Sequence, residues 1–303
     1  MKFTTSFEIE KHPLPIDHDS HVVLLGSCFT DHMYRKLRYY GFDAVSNPFG
    51  ILFNPFSISH LVSKSIQDDF KLDDVESTFS YLAHSDIAGD DPDAVLTELQ
   101  TAGKKLKESL NKATHVIITL GTSWIYELKE SSQIVASCHQ QPQKLFDKRL
   151  LKIDEINQSL NKLIDLIQGL TQASILFTVS PVRHTRDGMV ENQRSKARLH
   201  EAIQQQVDAK RAYYFPSYEL FMDDLRDYRF YDRDMIHPNE IGVDYVWLRF
   251  RESVINQNTA TAIKALEKLR KLEQHRPKDA ATHARQVDEF KVKVLNEFPN
   301  LTL

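Results

Sequence analysis

Short apolar runs alternate with longer amphipathic stretches along most of this chain. Val22-Val23-Leu24-Leu25, Val116-Ile117-Ile118-Thr119-Leu120 and Ile175-Leu176-Phe177-Thr178-Val179 are compact, apolar and rich in β-branched residues. Such runs predict strands buried on both faces. Residues 42–45 and 213–215 read as two shorter strands, and 125–127 with 134–136 as a hairpin. Between the strands the period changes to three and four. Ile153, Ile156, Leu160, Leu163, Ile164, Ile167 and Leu170 mark one core-facing helix. Further helices are predicted over 30–40, stopped by Gly41, and over 56–65, 94–110, 192–209 and 240–250, the last with Pro238 in its first turn. Residues 67–93 are acidic and aperiodic and read as a loop or small insertion. Strands alternating with helices predict an α/β fold with a parallel sheet. Beyond about 252 the pattern turns wholly helical, with Ile263, Leu266 and Leu269 on one helix and Val287, Phe290, Val294 and Phe298 on another. The expected organisation is an α/β domain over 1–252 with a helical extension over 253–303 packed on it.

At 303 residues and 41% apolar, the chain can bury a sizeable core. Its net charge of -4 gives no electrostatic case for nucleic acid or an anionic membrane. The basic residues of 261–286 mix with Leu and Ala at helical spacing and read as a solvated helix face. The N-terminal segment is interrupted by Glu8 and Glu10, and no apolar stretch approaches a membrane span of ~20 residues. Two cysteines, Cys28 and Cys138, make no disulfide framework. The expectation is a cytoplasmic protein. Its 13 histidines form no tight Cys/His array and no His-Glu-x-x-His helix, and no glycine-rich phosphate loop is present. Neither a metal nor a nucleotide cofactor is expected.

Candidate chemistry sits in two short stretches far apart. Gly26-Ser27-Cys28-Phe29 follows the first apolar run, which places Ser27 where a buried strand ends and a helix begins. In open α/β sheets, ligands bind beyond the carboxyl ends of strands. A serine there has backbone N–H groups and the positive end of a helix dipole beside its hydroxyl. Read alone, Ser27 is first of all a helix N-cap. Asp234-Met235-Ile236-His237-Pro238-Asn239 places a carboxylate three residues before an imidazole, close enough to hold it on one turn. An alcohol is a poor nucleophile near pH 7 without such a base. Here too a structural alternative stands, with Asp234 capping the helix that follows. Cys28 adjoins Ser27, but one position along a helix is a turn of about 100°, and it reads as an inert buried thiol.

These stretches, with Asn47-Pro48-Phe49-Gly50-Ile51-Leu52, Gly121-Thr122-Ser123-Trp124, Ser180-Pro181-Val182-Arg183-His184 and Glu191-Asn192-Gln193-Arg194-Ser195-Lys196-Ala197, resemble the GSCFA family over roughly residues 1–250. That family is related to the SGNH (GDSL-like) hydrolases. The resemblance implies a flavodoxin-like three-layer α/β/α sandwich and a Ser27-His237-Asp234 triad. It matches Gly50 to the glycine that donates to the oxyanion, alongside the Ser27 N–H. The SGNH oxyanion asparagine has no counterpart in Gly121-Thr122-Ser123-Trp124; Asn54 or Ser123 would have to serve. Removing one oxyanion donor costs about 3 kcal/mol of barrier. Arg183, His184 and His139 are candidate substrate contacts, whereas Arg194-Ser195-Lys196 reads as a solvated helix face. The expected activity is ester hydrolysis, leaning to O-acetyl esters of carbohydrates. The alternatives are acyl transfer to a sugar hydroxyl and a degenerate, non-catalytic binding module.

Overall fold

The computed structural model describes residues 5–303. Its first half runs β1 (His21–Gly26), α1 (Cys28–Tyr39), β2 (Asp43–Ser46), α2 (Pro55–Gln67), α3 (Pro92–Lys112) and β3 (His115–Leu120). A three-stranded insertion follows, made of β4 (Trp124–Leu128), β5 (Ile134–Val135) and β6 (Phe146–Leu150). The main layer resumes with α4 (Ile153–Gln168), β7 (Ser174–Val179), α5 (Met189–Asp208), β8 (Tyr213–Tyr214), the single turn α6 (Ser217–Glu219) and α7 (Glu240–Ser253). The chain closes with α8 (Ala260–Gln274) and α9 (Ala280–Glu297).

Five strands form one parallel sheet in the order β2-β1-β3-β7-β8. Counting only these strands, the order is 2-1-3-4-5, the doubly wound arrangement in which β1 and β3 flank the point where winding reverses. Alternate residues of β1 enter different cores. Val23 and Leu25 pack with α2, α3, α4 and α5. Val22 and Leu24 pack with α1, α7 and the segment after β8. This alternation makes the sheet the middle of three layers and explains why the middles of β1, β3 and β7 are continuous apolar runs.

The insertion is antiparallel, in the order β5-β4-β6, and carries its own small cluster of Tyr81, Val135 and Phe146. The pairing of 125–127 with 134–136 holds, but β6 has no counterpart among the predicted strands. Its sequence, Phe-Asp-Lys-Arg-Leu, buries only Phe146 fully, so it carries no alternating pattern. Pro238 also differs from expectation: it precedes the helix, and Asn239 caps α7 by accepting from Gly242 N–H at 3.0 Å. The C-terminal helices pack through Ala262, Leu266, Leu269, Val294 and Leu301, and Ile263 joins the core beside α1. Thr302 N–H donates to Gly41 O at 2.9 Å, tying the tail to the end of α1. None of the described helices is long and apolar enough to cross a membrane.

Candidate functional site

β1 ends at Gly26 with φ of 134°, and a Cβ there would stand 2.1 Å from Thr119 O. Only glycine permits that approach of β1 to β3. Gly26 N–H donates to Asn47 Oδ1 at 2.8 Å, and its carbonyl accepts from Leu52 N–H at 2.9 Å. The strand-to-helix turn is thus fixed from the loop before α2. Ser27 follows at the N-cap position of α1, with extended backbone.

The Ser27 hydroxyl does not cap the helix. The residue is 0% exposed, and Oγ has no hydrogen-bond partner among the described residues. A buried unsatisfied hydroxyl costs about 1–3 kcal/mol, so it calls for an explanation beyond folding. The N–H groups of Cys28 and Phe29 open α1 and have no intrahelical acceptor.

The second half of the site is the turn before α7. Asp234 Oδ1 accepts the N–H groups of Ile236 and His237, each at 2.9 Å. Its Oδ2 meets His237 Nδ1 at 2.6 Å. Met235 takes a left-handed conformation with φ of 60°, and Asp232 N–H donates to His237 O at 2.8 Å. The His237 side-chain bond, then the two backbone donors, hold the Asp234 pKa down to about 2. A carboxylate on Nδ1 selects the tautomer whose lone pair is on Nε2. His237 is 46% exposed. With Asn239 as the cap of α7, Asp234 is free of the capping role that the sequence left open.

The loop after β7, which bears His184, runs between the two halves: Arg183 and Thr185 line one cavity with Met235 and Ile236. A Cβ at Gly121, just past β3, would stand 3.2 Å from His184 Nε2, 3.3 Å from Ser27 Cβ and 3.0 Å from Phe53 Cδ1. The imidazole and the serine therefore converge on the same hydrogen of Gly121. His184 Nε2 is buried and has no hydrogen-bond partner among the described residues. Burial first, then the charges of Lys196 and His237, lower its pKa to about 3. His237 also contributes, after burial and other charges, to a lowered pKa at His32 on α1. Its ring thus lies on the Ser27 side of the molecule, though without a bond to Ser27 Oγ.

The expected oxyanion donors are placed otherwise. Ser27 N–H donates to Thr119 O at 3.0 Å, and Gly50 N–H to Asn47 O at 2.8 Å. Asn54 caps α2, accepting from Ser57 N–H and donating Nδ2 to Ser57 Oγ at 3.0 Å. Ser123 Oγ donates to Ser195 O at 3.0 Å, and Ser123 N–H to Ser195 Oγ at 2.7 Å. Gly50 is held by a local turn and Asn54 by its helix cap, whereas Ser27 N–H is taken up by the neighbouring strand and Ser123 by α5.

The segment expected to be a solvated face is instead partly core. Arg194 is exposed, but Ser195 and Lys196 are fully buried, and Asn192 is 1% exposed. These three continue, at helical spacing, the buried face of Leu199, Ala202 and Ile203. That continuation was the available signal, masked by the polar residue types. Lys196 Nζ donates to Ser180 O at 2.7 Å. Burial lowers its pKa to about 7, with Cys28 opposing and Arg183 adding to the shift. Both amide atoms of Asn192 are buried without a partner among the described residues. Cys28 is half-buried, and burial raises its pKa, away from a reactive thiolate.

Arg183 Nη2 contacts Met222 Sδ at 2.9 Å, and no carboxylate among the described residues pairs with it. It lines a cavity of about 330 Å³ with Thr185, Met189, Tyr228, Tyr231 and Met235, beside the Asp234–His237 turn. His139 lies elsewhere, stacked on Phe79 at 4.5 Å with Nε2 at 3.2 Å from Ala83 O. A larger cavity, about 550 Å³, opens along α5 at His200, Tyr214 and Glu219; none of the expected site residues lines it. No curated protein matches the chain. The model of the GSCFA family matches residues 21–250, which include both halves of the site and the whole parallel sheet, and the chain belongs to that family.

Proposed function

We propose that the protein is a serine ester hydrolase of SGNH type. Ser27 attacks the ester carbonyl, His237 Nε2 takes the hydroxyl proton, and Asp234 orients His237 and stabilises the imidazolium. Returning that proton to the leaving alcohol gives an acyl-enzyme, which water then cleaves by the same route. The observation that carries this reading is the Ser27 hydroxyl itself. It stands at a helix N-cap, declines the cap bond, and is buried unpaired on the side of the molecule where His237 is already paired to Asp234 at 2.6 Å.

The Arg183 cavity beside the turn supports a substrate with a bulky group next to the ester. O-acyl esters of carbohydrates, acetyl first, are the class to screen. Acyl transfer to a sugar hydroxyl uses the same acyl-enzyme, and excess sugar acceptor separates the two by product. Neither nucleic acid nor a membrane enters this reading, and a reducing cytoplasm suits its two free thiols.

One observation favours a non-catalytic binding module: Ser27 is fully covered and the expected oxyanion donors are engaged. Catalysis requires the loop bearing His184 or the turn bearing His237 to move as substrate enters. A fluorophosphonate probe decides. Labelling that disappears in Ser27→Ala supports the hydrolase, and absence of labelling in the folded protein supports the binding module.

A further inference from the structure

We infer that His184 is a catalytic residue, its neutral imidazole donating the Nε2 proton to the oxyanion that forms at Ser27. This rests on the hydrolase reading and names the side-chain donor that reading lacks. Three observations place it. His184 Nε2 and Ser27 Cβ both abut Gly121, at 3.2 and 3.3 Å from where its side chain would begin. Both Ser27 Oγ and His184 Nε2 are buried without partners among the described residues, so two unsatisfied polar groups share one small space. The donors expected there, Asn54 and Ser123, are committed to Ser57 and Ser195. The ring is also held in place, edge-on to Phe53 with centroids 5.2 Å apart.

The charge state suits donation. With Lys196 and His237 nearby and its Nε2 edge buried, His184 keeps a pKa of about 3 and stays neutral throughout the working pH range. A neutral imidazole of low basicity is a poor general base but a sound hydrogen-bond donor to developing negative charge. His237, half exposed and carboxylate-bound, takes the base role. As the Ser27 Oγ–carbon bond forms, the carbonyl π pair moves to oxygen and the serine proton to His237 Nε2. His184 keeps its own proton and shares it with that oxygen. Collapse of the intermediate expels the alcohol, which takes the proton from His237.

The test uses the full chain with p-nitrophenyl acetate as probe ester. His184→Phe keeps a planar ring but has no donor, and His184→Gln keeps an N–H. The expected result is a kcat loss of about 100-fold or more in His184→Phe with KM within a few-fold, and partial recovery in His184→Gln. A second readout needs no turnover: in the adduct of wild type with diisopropyl fluorophosphate, the His184 Nε2 proton shifts downfield by NMR as it meets the phosphoryl oxygen. Full-speed His184→Phe, or an adduct that leaves the His184 resonance unmoved, overturns the inference while the hydrolase stands. Failure of wild type to form any adduct removes the hydrolase reading and this inference together.

Discussion

At Ser27 two demands conflict, and the conflict is informative. Folding favours a serine at an N-cap whose oxygen accepts a helix N–H, a bond worth about 1 kcal/mol. Here the oxygen stays buried without a partner among the described residues. At Asp234 the local demands agree: Oδ1 holds the turn and Oδ2 holds His237. The division of labour predicts the phenotype of Asp234→Asn. Asparagine keeps the Oδ1 acceptor, so the turn and the melting temperature persist, while the charge that stabilises an imidazolium is lost. Ester hydrolysis should fall about 100- to 10,000-fold, measured beside a thermal melt that stays within a few degrees. Because Asp234 is held near a pKa of about 2, it remains ionised down to mildly acidic pH, and the acid limb of wild-type activity must report another group. Ser27, Asp234 and His237 could be singled out as candidates in the sequence because each is marked by its immediate neighbours. His184 was readable only as a possible substrate contact, since its approach to Ser27 depends on three strands ending side by side.

Among the elements, α5 departs most from what its composition suggests. Polar residue types point outward, yet the buried stripe of Leu199, Ala202 and Ile203 carries Asn192, Ser195 and Lys196 with it into the core. Lys196 is 0% exposed and its pKa is lowered by burial from 10.5 to about 7. The unfolded chain therefore binds the Lys196 proton more tightly between pH 7 and 10.5. Stability from this group rises with pH across that window, and below pH 7 the full penalty of the buried charge remains. Lys196→Met fills a similar volume without charge. Its stability relative to wild type should be highest near pH 7 and should decline toward pH 10, by at most about 1.4 kcal/mol per pH unit, as read by urea denaturation. A difference independent of pH would mean that the ammonium is solvated. The main strands were legible because parallel strands buried on both faces leave uninterrupted apolar runs. β6 and the turn of π-helix over Leu220–Asp224 were not, since an edge strand and a single irregular turn impose no period.

In the whole molecule, the order 2-1-3-4-5 brings the ends of β1 and β3 together at the reversal of winding, and this is where Ser27 and Gly121 stand. Histidines buried in neutral form are spread through the same framework. His12, in contact with Leu14 O and Ser174 Oγ, is lowered by burial to about 4, and His115 beside it is lowered for the same reason. A lowered folded pKa means that the unfolded chain gains the proton first. Stability is full above pH 6.5 and is lost as pH falls from 6.5 toward 4, with His12 alone contributing on the order of 3 kcal/mol. Denaturant midpoints from pH 7.5 to 4 should show that decline, and His12→Gln should flatten part of it; a flat wild-type profile would contradict the burial of these rings. The central claim concerns one hydroxyl, and one measurement addresses it most directly: intact-mass and peptide-level detection of fluorophosphonate adducts on wild type and Ser27→Ala at pH 7.5. The account predicts a single adduct on wild type, mapped to Ser27 and absent from the variant. A folded wild type that stays unlabelled, or an adduct that persists when Ser27 is replaced, would contradict it.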